Sequence, residues 1–310
     1  MRIAVTGASG FVGGAVCRAL ASEGVATFAY GRRPAVAPAH LGGAAYRSWD
    51  LTHGPIPDAP DVDAVVHCAG SVTDWGPAAG LFAANLTGTR SALTSFPGAR
   101  FVHVSTASVY DPFRPSVMAA EDEAPVRRYM NAYGASKAAA ERAVLRAGRD
   151  AIILRPHAVY GPGDTTLLPR VLSAVRGPLL PAAGTGRQRI SLTSIGNLVQ
   201  ACVLAATGRA ASGVFNVADA APVTIDDAFR EILRERRIRA RPVYVPAAAA
   251  RPLAAVIEGA FLLAGRPEPP RLTRYAISHL AVERTLDITA AREVLGYDPH
   301  ATTFAGAARW

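Results

Sequence analysis

The feature that most restricts this chain is its opening stretch. Residues 3–5 form a short apolar run, Thr6-Gly7-Ala8-Ser9-Gly10-Phe11-Val12-Gly13 a glycine-rich turn, and residues 15–22 a helical run. Gly7 permits a tight turn, Gly10 lets backbone approach a pyrophosphate, and Gly13 lets the helix pack closely on the strand, so that the helix N-terminus faces the anion. Strand, glycine turn and helix in that order predict a dinucleotide-binding unit that starts a parallel sheet. Gly7, Ser9, Gly10, Phe11 and Gly13 are its expected cofactor-binding residues.

The alternation continues. Strands are expected at 26–30, 44–48, 64–68, 100–104 and 151–154, with helices at 77–95 and 132–147. This predicts an α/β fold, a doubly wound parallel sheet of the Rossmann kind covered by helices on both faces. Beyond Gly161 proline, alanine and arginine increase, and helices at 167–176, 195–207 and 225–236 are separated by short strands such as 214–217. Residues 1–160 are expected to form the dinucleotide-binding domain and 161–310 a smaller, mostly helical substrate-binding region, with 189–218 returning to the Rossmann core. The apolar, proline-punctuated segment 242–280 reads as an oily wall of the substrate cleft or as ordinary packing of a small cap. Its most apolar part, 253–264, contains Glu258 and falls short of the ~20 residues that span a bilayer. A buried or lid helix is expected there.

The formal charge is +9, yet the arginines are scattered, with no basic run interleaved with aromatics, so no nucleic-acid partner is expected. Cys17, Cys68 and Cys202 are odd in number, far apart in sequence and set among apolar residues, which predicts neither disulfides nor a metal site and fits a reducing cytoplasm. The chain runs from Met1 straight into the first strand, leaving no room for a signal peptide.

Of the 33 basic residues, only Lys137 is a lysine. It follows Tyr133 by four residues in an expected helix, so both side chains share one face. A neighbouring ammonium lowers a phenol's pKa, which makes this pair a candidate acid/base for an alcohol or ketone; the alternative is an incidental surface pair. After the second strand the chain carries Gly31-Arg32-Arg33-Pro34, with no carboxylate for a ribose 2′-hydroxyl. Arginine there suits a 2′-phosphate, so NADP(H) is favoured over NAD(H), Arg32 first and Arg33 beside it, unless one is simply a solvated loop residue. Asp50, followed by Leu51, either accepts from an adenine amino group or caps the next segment. Ala69 and Gly70 are small enough for backbone passing under a cofactor. The fifth strand delivers Ser105-Thr106-Ala107-Ser108 at its carboxyl end, where such sheets bind ligands.

Taken together, Thr6-Gly7-x-x-Gly10-x-x-Gly13, Asn85, Ser105-Thr106, Tyr133-x-x-x-Lys137 and Arg155-Pro156 through Tyr160-Gly161-Pro162-Gly163 resemble an extended short-chain dehydrogenase/reductase over essentially the whole chain. Asn197 before Leu198-Val199-Gln200-Ala201, Leu272-Thr273-Arg274-Tyr275 and Leu295-Gly296-Tyr297-Asp298-Pro299 are similar to the 3β-hydroxysteroid dehydrogenase branch, which includes 2-alkyl-3-oxoalkanoate reductases. The resemblance implies Tyr133 as acid/base, Lys137 as the residue that lowers its pKa and holds the nicotinamide ribose, and Thr106 on the substrate oxygen. It implies Asn85 in a proton relay, with a helix-packing amide as the alternative, and Pro156 at the cofactor. The implied activity is NAD(P)(H)-dependent interconversion of a secondary alcohol and a ketone on an apolar small molecule, with a homodimer compatible. A nucleotide-sugar epimerase holding NAD tightly and a non-catalytic dinucleotide sensor are the alternatives. Ala107-Ser108 stands where the dehydratases carry an Asp-Glu pair, and Arg155-Pro156-His157-Ala158 lacks the asparagine of many epimerases.

Overall fold

A computed structural model describes residues 1–266, 268–270 and 272–310. Seven strands form one parallel sheet: β1 (Arg2–Thr6), β2 (Ala26–Gly31), β3 (Ala45–Ser48), β4 (Ala64–His67), β5 (Arg100–Val104), β6 (Ala151–Pro156) and β7 (Gly213–Val217). Their spatial order is β7-β6-β5-β4-β1-β2-β3, so the order reverses beside β1. The strands lack the polar alternation of a one-sided sheet because both faces are covered. On one face Ile3, Val5, Val66, Val102 and Ile152 pack against α1 (Phe11–Ser22) and the later helix at Ile195–Thr207. On the other, Ala4, Val65, Phe101 and Ile153 meet the helices between β4 and β6.

Those intervening helices position the chemistry. The region expected as one helix at 77–95 is α2 (Ala78–Phe82), a π-helical turn (Ala83–Thr87) and α3 (Gly88–Ser95). The wide turn holds Asn85, and such bulges recur at functional sites. Next, α4 (Ala132–Arg146) is started by Asn131, whose side chain accepts from the Gly134 amide at 3.1 Å, a cap worth about 1 kcal/mol. α5 (Leu167–Ala174), α6 (Ile195–Thr207), α7 (Ile225–Glu235), α8 (Ala247–Leu263) and α9 (Arg274–Leu280) complete the set.

A second core collects Tyr160, Leu168, Leu180, Ile190, Phe229 and Phe304. α6, β7 and residues 288–297 pack instead on the first core. The joint is Asp219, which accepts from Tyr160 (2.8 Å), Asn197 (2.6 Å), Thr302 (2.8 Å) and the Ser194 amide (2.7 Å). A buried carboxylate is retained only when so many donors satisfy it.

One expectation is narrowed. The stretch 253–264 lies in α8, which is not buried: only Ala250, Ala254 and Glu258 face inward, and Leu253, Val256, Leu262 and Leu263 face solvent. Apolar composition alone did not reveal how few partners this helix would find. Cys17, Cys68 and Cys202, far apart in sequence and all free, come together on the first core. Pro267 and Arg271, within the expected oily wall, fall outside the described residues. No described helix is long and apolar enough to cross a membrane.

Candidate active site

The crevice opens where the strand order reverses, because β1 and β4 hand over their chains side by side. Gly7 has φ 70°, and a Cβ there would lie 2.7 Å from the Ala69 amide nitrogen. A Cβ on Gly13 would lie 2.4 Å from the Gly7 carbonyl oxygen. Any side chain at either position would push the turn off the sheet. Gly10 is the N-cap of α1 and makes no side-chain capping bond, so the first helical amides remain for an anion. Ser9 sits over Gly31, whose Cβ would come 2.6 Å from its hydroxyl, and Phe11 packs toward Gly163.

Arg32 and Arg33 follow β2, both exposed, and neither enters an ion pair among the described residues. The Tyr46 hydroxyl donates to the Arg33 carbonyl at 2.6 Å and fixes that loop. Asp50 takes the capping role: Oδ1 accepts from the Thr52 hydroxyl (2.7 Å) and amide (2.9 Å), bonds that hold its carboxyl below the usual range. Leu51 is buried in the core, leaving only its backbone for a ligand. The bare helix terminus, the glycine-forced approach and the free guanidinium groups fit a dinucleotide phosphate ester.

Ala69 and Gly70 lead from the nucleotide side to the reacting side. A Cβ on Gly70 would fall 2.7 Å from Asn85 Oδ1 and 4.0 Å from Lys137 Nζ. Asn85 is fully engaged: Oδ1 accepts from the Ser71 amide (2.7 Å), and Nδ2 donates to Ser136 Oγ (2.9 Å) and the Ser71 carbonyl (3.2 Å). It ties the loop after β4 to α4. Pro156 ends β6, buried in the same wall.

Along α4 the inward face runs Tyr133, Lys137, Glu141, one turn apart each time. Glu141 forms a fully buried pair with Arg155, through Oε1 to Nε at 3.0 Å and Oε2 to Nη2 at 2.8 Å, and also accepts from Ser105. The Arg155 guanidinium donates further to the Glu121 and Ala124 carbonyls. This network pins α4 under the carboxyl end of the sheet. Lys137 Nζ donates to the Val104 carbonyl at 2.7 Å, and burial brings its pKa down to about 8.

Lys137 was expected to depress the Tyr133 pKa. Instead that pKa lies above the ordinary value: burial raises it most, a hydrogen bond with the Thr106 hydroxyl opposes this, and Asp74 raises it further. The ammonium, directed to Val104, acts instead on the buried imidazoles of His67 and His103.

Next to Tyr133 stand groups to which the sequence assigned no role. Ser108 Oγ lies 3.2 Å from Thr106 Oγ1 and 2.8 Å from the Tyr275 hydroxyl. Tyr275 packs edge-on to His279 at 4.4 Å, and His279 Nδ1 lies 3.1 Å from His157 Nε2. His157 Nδ1 faces the Ser191 carbonyl at 2.9 Å and so carries the proton, leaving Nε2 to accept from His279. Ser108, Tyr275, His157 and His279 line one cavity with Arg284. Asp74, paired with Arg170, also accepts from the Thr273 hydroxyl at the start of α9 (3.4 Å). Glu141 could have been found by extending the helical spacing one more turn; Asp74 and His279 carry no local signal.

Residues 3–218 match the NAD dependent epimerase/dehydratase family. Over its whole length the chain is 30% identical to a 2-alkyl-3-oxoalkanoate reductase of Stenotrophomonas maltophilia, covering 98% of that protein. It is also 30% identical to the 4-hydroxy-2-methyl-3-oxo-4-farnesyl-3,4-dihydroquinoline-1-oxide ketoreductase of Stigmatella aurantiaca, across 96% of this chain and 92% of that one. Among solved structures, a UDP-glucuronic acid 4-epimerase from Bacillus cereus, in complex with NAD, superposes with a TM-score of 0.75 over 100% of this chain and 97% of that chain. At 21% identity this last likeness shows the fold alone.

Proposed function

The chain belongs to the NAD dependent epimerase/dehydratase family, as an oxidoreductase of the extended short-chain dehydrogenase/reductase type, and from that premise we propose that it reduces the ketone of a largely apolar substrate with NADPH. The observation that carries this reading is the gathering of hydroxyls beside buried Tyr133: Thr106 bonded to Ser108, and Ser108 in turn to Tyr275. The nearby carboxylate, Asp74, is tied to Arg170, and Ala107-Ser108 offers no acid/base pair for an elimination.

Tyr133 is the proton donor. Burial keeps its phenol protonated at neutral pH, which suits giving a proton to a carbonyl oxygen that gains charge. Thr106 donates to the same oxygen. Lys137, with a pKa of about 8, stays mostly protonated at neutral pH and holds the nicotinamide ribose beside Gly70. When bound, the reduced nicotinamide supplies the hydride. Arg32, assisted by Arg33, takes the 2′-phosphate, while the turn from Gly7 to Gly13 and the α1 terminus take the pyrophosphate.

The test is to denature freshly purified protein, identify any released nucleotide, and then follow NADPH and NADH oxidation with long-chain 3-oxo acids and alkyl ketones. NADP(H) or an empty site, together with ketone-dependent NADPH oxidation, is the expected result. Near-stoichiometric NAD that survives washing, with no net oxidation, would replace this reading by an epimerase.

A further inference from the structure

We propose that Ser108 gives the substrate oxygen a second hydrogen bond beside Thr106, and that Tyr275 sets Ser108 for this role. The inference rests on the ketoreductase reading and adds to it one donor and one positioning residue. Ser108 belongs to the short helical turn Ala107–Val109 that follows β5. Thr106 starts the turn by accepting from the Ser108 amide at 3.1 Å, and Val109 anchors it in a small core with Tyr110, Ala138 and Leu286. The start of α4 rests directly on this turn, because a Cβ on Gly134 would lie 2.8 Å from the Ser108 carbonyl oxygen. Gly134 adjoins Tyr133, so the turn and the phenol keep a fixed relation.

The proton count at Ser108 decides what it can do. A serine hydroxyl has one proton to give and room to accept two. Thr106 donates to Ser108 Oγ at 3.2 Å. The Tyr275 hydroxyl lies 2.8 Å from the same oxygen, and a phenol, the more acidic group, donates to an alcohol. Burial above all raises the Tyr275 pKa, so this proton stays in place at neutral pH. Both acceptor positions of Ser108 are then filled, and among the described residues no group accepts its own proton. That proton is left for the cavity, which Ser108 lines together with Gly134 and Tyr275.

The two bonds to Ser108 differ in strength. Hydroxyls ordinarily meet at about 2.7–2.8 Å, so the bond from Thr106 is long and the bond from Tyr275 is not. An arriving carbonyl oxygen therefore takes the Thr106 proton and leaves Tyr275 on Ser108. With the two donor oxygens 3.2 Å apart, one oxygen about 2.8 Å from each accepts from both. Charge growing on that oxygen during hydride transfer strengthens both bonds, and Tyr275, by donating to Ser108, makes Ser108 the better donor. Tyr275 is itself steadied by His279, which packs on its ring and is bonded to His157.

The test follows single-turnover hydride transfer, with a ketone that the wild type reduces, in Ser108→Ala, Ser108→Thr, Tyr275→Phe and the double variant Ser108→Ala/Tyr275→Phe. Ser108→Ala keeps the amide that Thr106 caps and should slow hydride transfer about 10²-fold, the scale of one lost oxyanion donor, with KM and NADPH affinity little changed. Ser108→Thr returns a hydroxyl and should restore most of the rate. Tyr275→Phe should slow the step about tenfold alone and no further in the Ser108→Ala background, because Tyr275 acts through Ser108. Should Tyr275→Phe fail to fold, the alanine and threonine variants at Ser108 decide by themselves. A purely structural role would instead shift KM, NADPH affinity or urea unfolding and leave the threonine variant no faster than the alanine one. That pattern, additive losses, or a wild-type rate in Ser108→Ala overturns the proposal and leaves the ketoreductase reading intact. A wild type that turns over no ketone overturns both.

Discussion

On the nucleotide side of the crevice, recognition is set by backbone: Gly7, Gly10 and Gly13 shape the turn between β1 and α1, and Arg32 follows at the end of β2, within the same βαβ unit. On the proposed substrate side, Thr106, Tyr133, His157 and the α9 pair Tyr275 and His279 arrive from four separate segments, and their hydroxyl and imidazole groups meet only once the second core has closed on the first. The contrast teaches where robustness lies. A side chain lost from the nucleotide side removes one contact among several, whereas one lost from the substrate side removes a chemical step or the support beneath it. Variants that act alike on both sides would break this comparison.

The largest effect is expected at Tyr133. Tyr133→Phe removes the proposed proton donor but keeps the ring, so turnover should fall about 10³-fold with NADPH affinity nearly unchanged, in the range of general acid catalysis. Lys137→Arg retains charge but changes its shape, and should lower turnover by about 10²-fold. Stopped-flow hydride transfer and nucleotide titration separate the two quantities. Wild-type turnover in Tyr133→Phe would remove the proposed chemistry altogether.

How much of this was legible in the sequence follows the same division. The turn from Gly7 to Gly13 could be read because its requirements are local: positive φ at one residue, close approach at another. The parallel sheet could be read from alternating strands and helices. The face of α4 was half legible, since a spacing of four joins Tyr133 to Lys137, and another four reaches Glu141. Neither spacing nor composition reveals that Lys137 would point at Val104 and leave the Tyr133 pKa governed by burial, because that depends on which acceptor lies nearest after folding. The apolar run in α8 looked buried for a related reason: periodicity says which residues share a face, and the neighbours decide whether anything covers it.

Support beneath the substrate side gives the next largest effect. Glu141→Gln leaves the Arg155 guanidinium buried without a counter-charge and should destabilise the fold by about 3 kcal/mol, read from urea unfolding. A change within error would mean that the carbonyls around Arg155 suffice to hold α4. Smaller again is the acid limb of stability. Burial lowers the His157 pKa to about 4 and the His67 pKa to about 3, against 6.5 for free imidazole. Between those values and 6.5 the unfolded chain binds protons that the native chain refuses, so stability is intact above 6.5 and declines as pH falls. Each imidazole should contribute about 1.4 kcal/mol per pH unit within its window. His157→Gln should remove one share of that slope, measured by unfolding between about pH 7 and pH 5; an unchanged slope would place the proton uptake elsewhere.

The smallest expected change tests the nucleotide side by itself. Arg32 is exposed, so the proposed contact with a 2′-phosphate would be screened by water and salt, unlike the buried pair beneath α4. Arg33 stands beside it and can take over part of the charge. Arg32→Ala should therefore weaken NADPH binding by about tenfold, less at high salt, and leave NADH binding and turnover at saturating cofactor unaltered. That selectivity matters more than the size of the loss, because only a contact with the extra phosphate distinguishes the two nucleotides. Equal weakening of both would assign Arg32 to the shared part of the cofactor or to the loop held by Tyr46, and no weakening of either would leave it a solvated arginine. If turnover fell as well, the two sides of the crevice would be coupled through the turn at Gly7, where β1 meets Ala69, and the contrast drawn between them would have to give way to a single cooperative site.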